Sequence, residues 1–241
     1  MDRRDGAAGG RIIPAGAVLL ISFAAGAIPF SGLAARLIAG VDLRNRGSGT
    51  VSGTGLYEVS GFGPLAVAGS LDVAKGAVGP LLAGKGRPTL SAVAAGAAIA
   101  GHNWSPLMSG AGGRGISPAL GATLVTAPEG AAVLAAGLGG GRLVRQTGLG
   151  CLTALFGMVP VLVRRHGWRG GILALCVSAP IIAKRLAGNA PPPGNDLWRS
   201  LRTRLLFDRD PEPQPVDAAP TRSLAAVREP VGAMEMRRVG S

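Results

Sequence analysis

Long stretches without a formal charge alternate with short basic segments along this chain of 241 residues. The first stretch, Ile12–Ala35, is long enough to cross a bilayer as a helix. Arg3, Arg4 and Arg11 precede it and could begin a cleaved signal peptide, but the apolar core of a signal peptide is much shorter. We therefore predict a basic N-terminal segment, residues 1–11, followed by a retained first membrane helix.

Further stretches of the same kind predict more membrane helices. They are Val59–Leu71 with Gly76–Gly84, which form one helix around Asp72 and Lys75, then Pro88–Gly113, Gly115–Gly141, Gln146–Val163 and the shorter Gly170–Ala183. We predict an all-α fold over residues 12–189, a polytopic membrane bundle of about five to seven transmembrane helices with glycine-rich loops.

The chain changes character after Ala190. A PPPG sequence opens a segment rich in proline, arginine and acidic residues, which predicts a disordered tail over residues 190–241. Within it, Leu197–Phe207 could form a short basic amphipathic helix on the membrane surface, or remain unstructured.

Composition supports a membrane protein. The chain is 47% hydrophobic and only 16% charged, and its 40 glycines allow close helix packing. The net charge of +12 could indicate a nucleic-acid partner, but the basic residues form short clusters between apolar stretches and aromatic residues are only 4%. Membrane loops explain that pattern better, so we expect no nucleic-acid partner. Cys151 and Cys176 lack the spacing of a metal or redox motif.

Three segments carry candidate chemistry. In RGSGTVSGTG, Arg46–Gly55, glycine N–H groups and hydroxyls could bind a phosphate beside Arg44 and Arg46, or the segment could simply be a flexible loop. In SLDVAKG, Asp72 and Lys75 lie three residues apart, and charges inside a membrane helix are either functional or a self-neutralising pair. In GHNWSPLMSGAGGRG, Gly101–Gly115, a histidine ends an apolar helix and a second glycine-rich loop follows. Two loops suited to anions indicate substrates with more than one phosphate.

The order GSGxxxxT, LDxxKG and GHNWSP…GGRG, each after an apolar helix, resembles the bacterial membrane acyl-phosphate:glycerol-3-phosphate acyltransferases, the PlsY family. GAIPFSGLAARLIAGVDLRNRGSG looks like the opening helix and first motif of that family, and AKRLAGN is similar to its third motif. The resemblance is strong over Gly26–Gly121 and continues more weakly to Asn189.

This resemblance implies transfer of an acyl group from acyl phosphate to glycerol 3-phosphate, giving lysophosphatidate. It implies a bacterial plasma-membrane enzyme among membrane lipids, with its site on the cytoplasmic face and with no cofactor or metal. It implies Ser48 and His102 as catalytic residues, with His102 as an orienting group or a base, and the substrate phosphate could equally accept the proton. The implied substrate-binding residues are Arg44, Gly47, Gly49, Thr54, Asp72, Lys75, Gly112, Gly113, Arg114 and Gly115.

Some positions depart from the family pattern. An arginine of the first motif falls on Glu58, and a histidine and an asparagine of the third motif fall on Ala179 and Ile182. These departures indicate an alternative, a non-catalytic membrane relative that binds lipid or phosphate. A small transporter is a further alternative, for which an internal sequence repeat would be expected.

Overall fold

A proline divides the first apolar stretch into two helices. In the computed structural model, which describes residues 13–46, 49–189, 191 and 196–208, α1 spans Ala15–Ala27 and α2 spans Phe30–Ala39. Pro29 precedes α2 and cannot donate a backbone hydrogen bond, so the helical ladder stops there. Ser105 Oγ donates a hydrogen bond of 2.5 Å to the Ala27 carbonyl that the interruption leaves free.

The charged pair inside the next long helix stabilises the same interruption. This helix, α4, spans Phe62–Ala83 as one continuous element, as the sequence predicts, and follows the short α3, Gly53–Ser60. Lys75 Nζ lies 2.7 Å from Asp72 Oδ1 and donates to the Ile28 carbonyl. Asp72 Oδ2 accepts from the N–H and the hydroxyl of Ser31, at 3.2 and 2.6 Å. Both charges are therefore neutralised and hydrogen-bonded within the bundle, which limits the cost of placing them there.

Six further helices complete the described part of the chain, which contains no strand. They are α5 (Pro88–Asn103), α6 (Ile116–Thr126), α7 (Pro128–Leu143), α8 (Thr147–His166), α9 (Trp168–Ala187) and α10 (Leu197–Phe207). The predicted all-α class is confirmed. The single predicted stretch Gly115–Gly141 forms two helices instead, because Pro128 can begin a helix but cannot continue α6.

Small residues let α5 lie at the centre of the bundle, where it packs against α1, α4, α6 and α9. A Cβ atom on Gly26 of α1 would overlap the Ala98 carbonyl of α5, and one on Gly101 of α5 would overlap the Phe23 carbonyl of α1. Only glycine permits this backbone approach, as in many membrane helix pairs. Large apolar side chains such as Leu20 are exposed on the outside, as expected for a surface in contact with lipid.

Four helical segments in the described part are long and apolar enough to cross a membrane. They are Ala15–Ala39, Phe62–Ala83, Thr147–His166 and Trp168–Ala187, and Ile116–Thr126 is a shorter apolar helix. The remaining helices pack among them, so the predicted polytopic bundle is the architecture observed.

Candidate active site

The first glycine-rich segment is only partly a loop. From Gly53 onward it forms the first turn of α3, and the Ser52 hydroxyl caps this helix by accepting a 3.2 Å hydrogen bond from the Gly55 N–H. Gly47 and Ser48 lie outside the described residues. Gly53, Thr54 and Gly55 line a cavity of about 1010 Å³. The N-terminus of α3 thus presents N–H groups to this cavity, and N–H groups at a helix N-terminus favour an anion.

Charged and polar side chains from seven helices and their loops line the same cavity. His102 comes from α5, and Asp72 comes from α4. The cationic lining residues are Arg46, Arg114, Arg142, Arg145 and Arg185, and the other acidic ones are Glu58 and Asp208. Cations therefore outnumber carboxylates in the wall, so the cavity suits an anionic ligand.

The second glycine-rich loop packs directly against the first segment. The Val51 N–H donates to the Gly112 carbonyl at 3.2 Å, and the Gly113 N–H donates to the His102 carbonyl at 3.3 Å. A Cβ atom on Gly113 would overlap His102 Nε2 and approach the Val51 carbonyl at 2.8 Å. Glycine at this position is what allows the loop to reach both the imidazole and the first segment.

Arg114, the cation of the second loop, is held from two sides. Its Nη1 donates to the Lys184 carbonyl at 3.2 Å, and its Nε lies 2.7 Å from Asp208 Oδ1. Its side chain is 11% exposed. Gly115 follows with φ +78°, a left-handed conformation that glycine adopts readily, and α6 begins at the next residue. The loop geometry therefore fixes the guanidinium in the wall of the cavity.

The end of α9 joins the two glycine-rich segments. Asn189 Nδ2 donates to the Gly49 carbonyl at 2.9 Å and to the Gly112 carbonyl at 3.0 Å. Lys184 Nζ donates to the Gly110 carbonyl at 3.3 Å and lies 5.3 Å from the centre of the Trp104 ring. Three motif segments, the two glycine-rich segments and AKRLAGN, thus meet at one end of the bundle.

The sequence prediction did not include Asn189, Lys184, Arg185 or Asp208 as site residues. The first three belong to the AKRLAGN segment, so that motif was the signal that could have found them. Ala179 and Ile182, where polar family residues were expected, do not contribute to the cavity wall. The polar side chains that this segment contributes are Lys184, Arg185 and Asn189, which follow Ala179 and Ile182 in the chain.

Apart from Arg44, the predicted site residues that the structure describes divide into three groups. Thr54, Asp72, His102, Arg114 and Gly115 line the cavity. Gly49, Gly112 and Gly113 form the backbone framework behind it. Lys75 of α4 donates a hydrogen bond to the Ile28 carbonyl and is not among the residues that line the cavity.

Arg44 belongs to a separate ion pair beside the cavity. Its Nη2 lies 2.7 Å from Asp42 Oδ2, and Arg36 Nη2 lies 2.8 Å from the same oxygen. Hydrogen bonds from Arg44 and Arg36 hold the pKa of Asp42 well below its usual range. Arg46 rather than Arg44 lines the cavity, because the turn at Leu43–Asn45 directs Arg44 back onto Asp42.

Among the described residues, no cluster of three or more histidine, cysteine, aspartate or glutamate side chains could hold a metal ion. The arrangement is instead suited to binding and orienting phosphate groups through N–H donors, hydroxyls and guanidinium groups.

The chain is similar to known acyltransferases. Residues 16–189 match the family described as glycerol-3-phosphate acyltransferase. Over 186 residues the chain is 34% identical to the glycerol-3-phosphate acyltransferase of Synechococcus sp. (strain CC9902), covering 72% of this chain and 92% of that relative. It is 39% identical over 111 residues to glycerol-3-phosphate acyltransferase 2 of Moorella thermoacetica, covering 46% of this chain and 57% of that relative.

Two solved structures share the fold. One is a crystal structure of PlsY (YgiH), an integral membrane glycerol 3-phosphate acyltransferase, in its glycerol 3-phosphate form. It has a TM-score of 0.67 and 26% identity, and the match covers 82% of this chain and 94% of that chain. The lysophosphatidic acid form of PlsY has a TM-score of 0.66 and 24% identity.

Proposed function

Because the chain belongs to the glycerol-3-phosphate acyltransferase family, we propose that it transfers an acyl group from an acyl phosphate to the 1-hydroxyl of glycerol 3-phosphate. The products are lysophosphatidate and inorganic phosphate. The observation that carries this proposal is the meeting of three motif segments at one cavity, joined by the two hydrogen bonds of Asn189. The match over residues 16–189 includes all three segments.

The cavity offers two kinds of phosphate ligand. The N-terminus of α3 supplies N–H groups and the hydroxyl of Thr54. The loop before α6 supplies the guanidinium of Arg114. Both substrates carry a phosphate, so we assign one phosphate to each loop, because backbone N–H groups and arginine both suit phosphate oxygens.

The acyl transfer itself needs no protein nucleophile, because the mixed anhydride of an acyl phosphate is already activated. The 1-hydroxyl oxygen attacks the acyl carbon, and the bond between that carbon and the phosphate oxygen breaks. The proton of the hydroxyl passes to the departing phosphate, while His102, whose Nε2 lies against Gly113 in the cavity wall, orients the hydroxyl. The departing phosphate carries the electron pair of the broken bond and remains beside the cations. Catalysis therefore rests on orientation and on stabilisation of negative charge.

Asp72 and Lys75 position the site from within the bundle. Their hydrogen bonds to Ser31 and Ile28 fix the start of α2, and the chain of α2 leads directly to the first motif. Asp72 also lines the cavity, so the same carboxylate that binds Ser31 at the start of α2 borders the space proposed for the substrates. The pair acts as a positioning element rather than as a group that reacts.

A second candidate function is phosphate binding without acyl transfer. Glu58 on α3 lines the cavity, and its carboxylate opposes binding of a phosphate at that part of the wall, so transfer between two phosphate-bearing substrates would fail while Arg114 could still bind one phosphate. In this case the protein would bind phosphate or lipid and would form no lysophosphatidate.

We place the cavity on the cytoplasmic side of a bacterial plasma membrane. Arg46, Arg142, Arg145 and Arg185 line it, so the cavity end of the bundle is rich in basic residues. Basic residues near membrane helices are concentrated on the cytoplasmic side. Acyl phosphate and glycerol 3-phosphate would then reach the site from within the cell.

Genetic rescue tests the proposed activity. A bacterium that depends on one acyl-phosphate-dependent acyltransferase is depleted of it and supplied with this protein or with its His102→Ala variant. The proposal expects growth with the wild-type chain and little or no growth with the variant, because the variant lacks the imidazole that orients the hydroxyl. Membrane levels of both proteins are measured by immunoblot. Equal failure of both, when a family enzyme rescues growth, contradicts the proposal.

A further inference from the structure

The C-terminal helix α10 lies outside the segment that matches the family. The match ends at residue 189 and α10 begins at Leu197. The helix nevertheless packs against α8 and α9. Arg204, which is 2% exposed, donates through Nη1 to the carbonyls of Leu186 and Ala187 at 3.3 and 2.9 Å. These carbonyls lie at the C-terminus of α9 and lack partners within that helix, so Arg204 caps it.

A second arginine holds α10 from the opposite direction. Arg185 of α9, which is 1% exposed, donates through Nη1 to the carbonyls of Gly148 and Leu205 at 2.9 and 3.1 Å. Gly148 at the start of α8 also lies so close to Phe207 that a Cβ atom there would approach the Phe207 carbonyl carbon at 2.8 Å. The end of α10 is therefore docked in a defined position.

Because α10 packs in this position, the carboxylate of Asp208 lies in the wall of the cavity. Phe207 and Asp208 both line it, and Asp208 Oδ1 lies 2.7 Å from Arg114 Nε. Asp208 ends α10 in the left-handed conformation, with φ +55°, and its N–H donates to the Arg204 carbonyl at 3.0 Å. The carboxylate thus occupies one side of the guanidinium that the proposed function assigns to a substrate phosphate.

The carboxylate is a weaker partner for this site than a phosphate would be. Burial raises the pKa of Asp208, and this effect exceeds the opposing effects of Arg114 and Arg185, which lower it. The ionised carboxylate therefore pays a desolvation cost that its two cations do not fully offset. A phosphate offers three terminal oxygens and up to two negative charges, so it can form more charge-assisted hydrogen bonds with the same guanidinium.

We infer that Asp208 is an intramolecular competitor for Arg114, which a substrate phosphate displaces when it binds. The inference rests on the proposed function in taking Arg114 as a phosphate ligand. In the absence of substrate the carboxylate holds the guanidinium in place and limits binding of other anions. The C-terminal segment thus sets the affinity of a site whose other parts come from residues 16–189.

Substitution of Asp208 by asparagine tests this competition, because asparagine has nearly the same shape and tolerates the left-handed backbone. Asp208→Gly is a second variant, since glycine also accepts a positive φ. The matched control is Asp196→Asn, which removes a carboxylate from the other end of α10, where Asp196 accepts from the Arg199 N–H. The full-length proteins are purified in detergent. Their affinity for inorganic phosphate is measured by calorimetry, and the KM for each substrate is measured separately.

The inference expects both Asp208 variants to bind phosphate roughly three- to ten-fold more tightly than wild type, because a larger fraction of the protein then has its cation available. The KM should fall for the substrate whose phosphate contacts Arg114 and stay constant for the other, with Asp196→Asn unchanged. Unchanged or weaker phosphate binding in both variants overturns the inference. Phosphate binding does not depend on turnover, so an inactive wild-type protein contradicts the proposed function without deciding this point.

Discussion

At the scale of single residues, Asn189 shows how a small polar group can organise a site. One amide nitrogen donates to the carbonyls of Gly49 and Gly112, which belong to different motifs. Buried carbonyl groups that lose solvent need such donors. Gly188, with φ +67° at the end of α9, turns the chain so that Asn189 can reach both loops. The spacing between the two glycine-rich segments therefore depends on this residue.

Replacement of Asn189 by alanine is expected to separate the two loops slightly. We expect kcat/KM for lysophosphatidate formation to fall about ten-fold, and the free energy of unfolding to fall by about 1–3 kcal/mol because two carbonyls lose their donor. The control is Asn45→Ala, at an exposed position in the neighbouring turn. Activity assays and thermal unfolding in detergent measure both effects. Equal activity and equal thermal stability of the two variants would show that the two hydrogen bonds of Asn189 have no role.

Gly113 allows a second test at this scale. In Gly113→Ala the new methyl group would overlap the His102 ring and approach the Val51 carbonyl. We expect a fall in kcat of roughly ten-fold or more, because a displaced catalytic group costs orientation. Gly139→Ala in α7 is the matched control, since nothing lies within 4 Å of its Cβ position. That control should keep full activity and gain a little helix stability. Full activity of the Gly113→Ala variant would contradict a role for His102 in the reaction.

Single residues also show the limits of prediction from sequence. The residue types and order of the motifs indicated Thr54, Asp72, His102 and Arg114, which all line the cavity. The sequence could not show that Arg44 would pair with Asp42, because the short turn at Leu43–Asn45 decides the direction of that side chain. It also could not place Asn189 beside Gly49, since only the packing of α9 against the loops brings them together.

At the scale of elements, α10 illustrates a pattern that predicts a helix without predicting its environment. The segment Leu197–Phe207 is helical over the predicted bounds. Its amphipathic sequence suggested an apolar face against the membrane surface. In the structure the buried positions are Ser200 and Arg204, while Trp198 is 81% exposed. The partners of the buried face are backbone carbonyls of α9, which carry no signal in the sequence of α10 itself.

The cap that Arg204 forms on α9 predicts a difference between two arginines of α10. Arg204→Ala should release α10, because the buried hydrogen bonds to Leu186 and Ala187 are lost. The exposed Arg202→Ala should leave it docked. Hydrogen exchange followed by mass spectrometry should show faster exchange over Leu197–Phe207 in the first variant alone. Equal protection in both variants would contradict the proposed cap.

At the scale of the whole molecule, the proposed cytoplasmic position of the cavity predicts an orientation for the turns between helices. Arg145 lies in the turn between α7 and α8 and lines the cavity, whereas Arg169 lies at the start of α9, at the other end of α8. We expect Arg145→Cys to be labelled from the cytoplasm and Arg169→Cys from outside, after Cys151 and Cys176 are replaced by alanine. A membrane-impermeant maleimide applied to intact and to permeabilised cells measures this. The reverse pattern would place the cavity on the outer side.

The central claim is that the three motif segments form a site for acyl transfer from acyl phosphate. The most direct measurement is lysophosphatidate formation by the purified full-length protein from acyl phosphate and glycerol 3-phosphate, compared with Arg114→Ala and the exposed control Arg165→Ala. We expect lysophosphatidate and phosphate in equal amounts, a rate roughly 100-fold lower in Arg114→Ala because a charged phosphate ligand is lost, and no change in Arg165→Ala. Absence of lysophosphatidate under conditions in which a family enzyme is active, or full activity of Arg114→Ala, would contradict the claim.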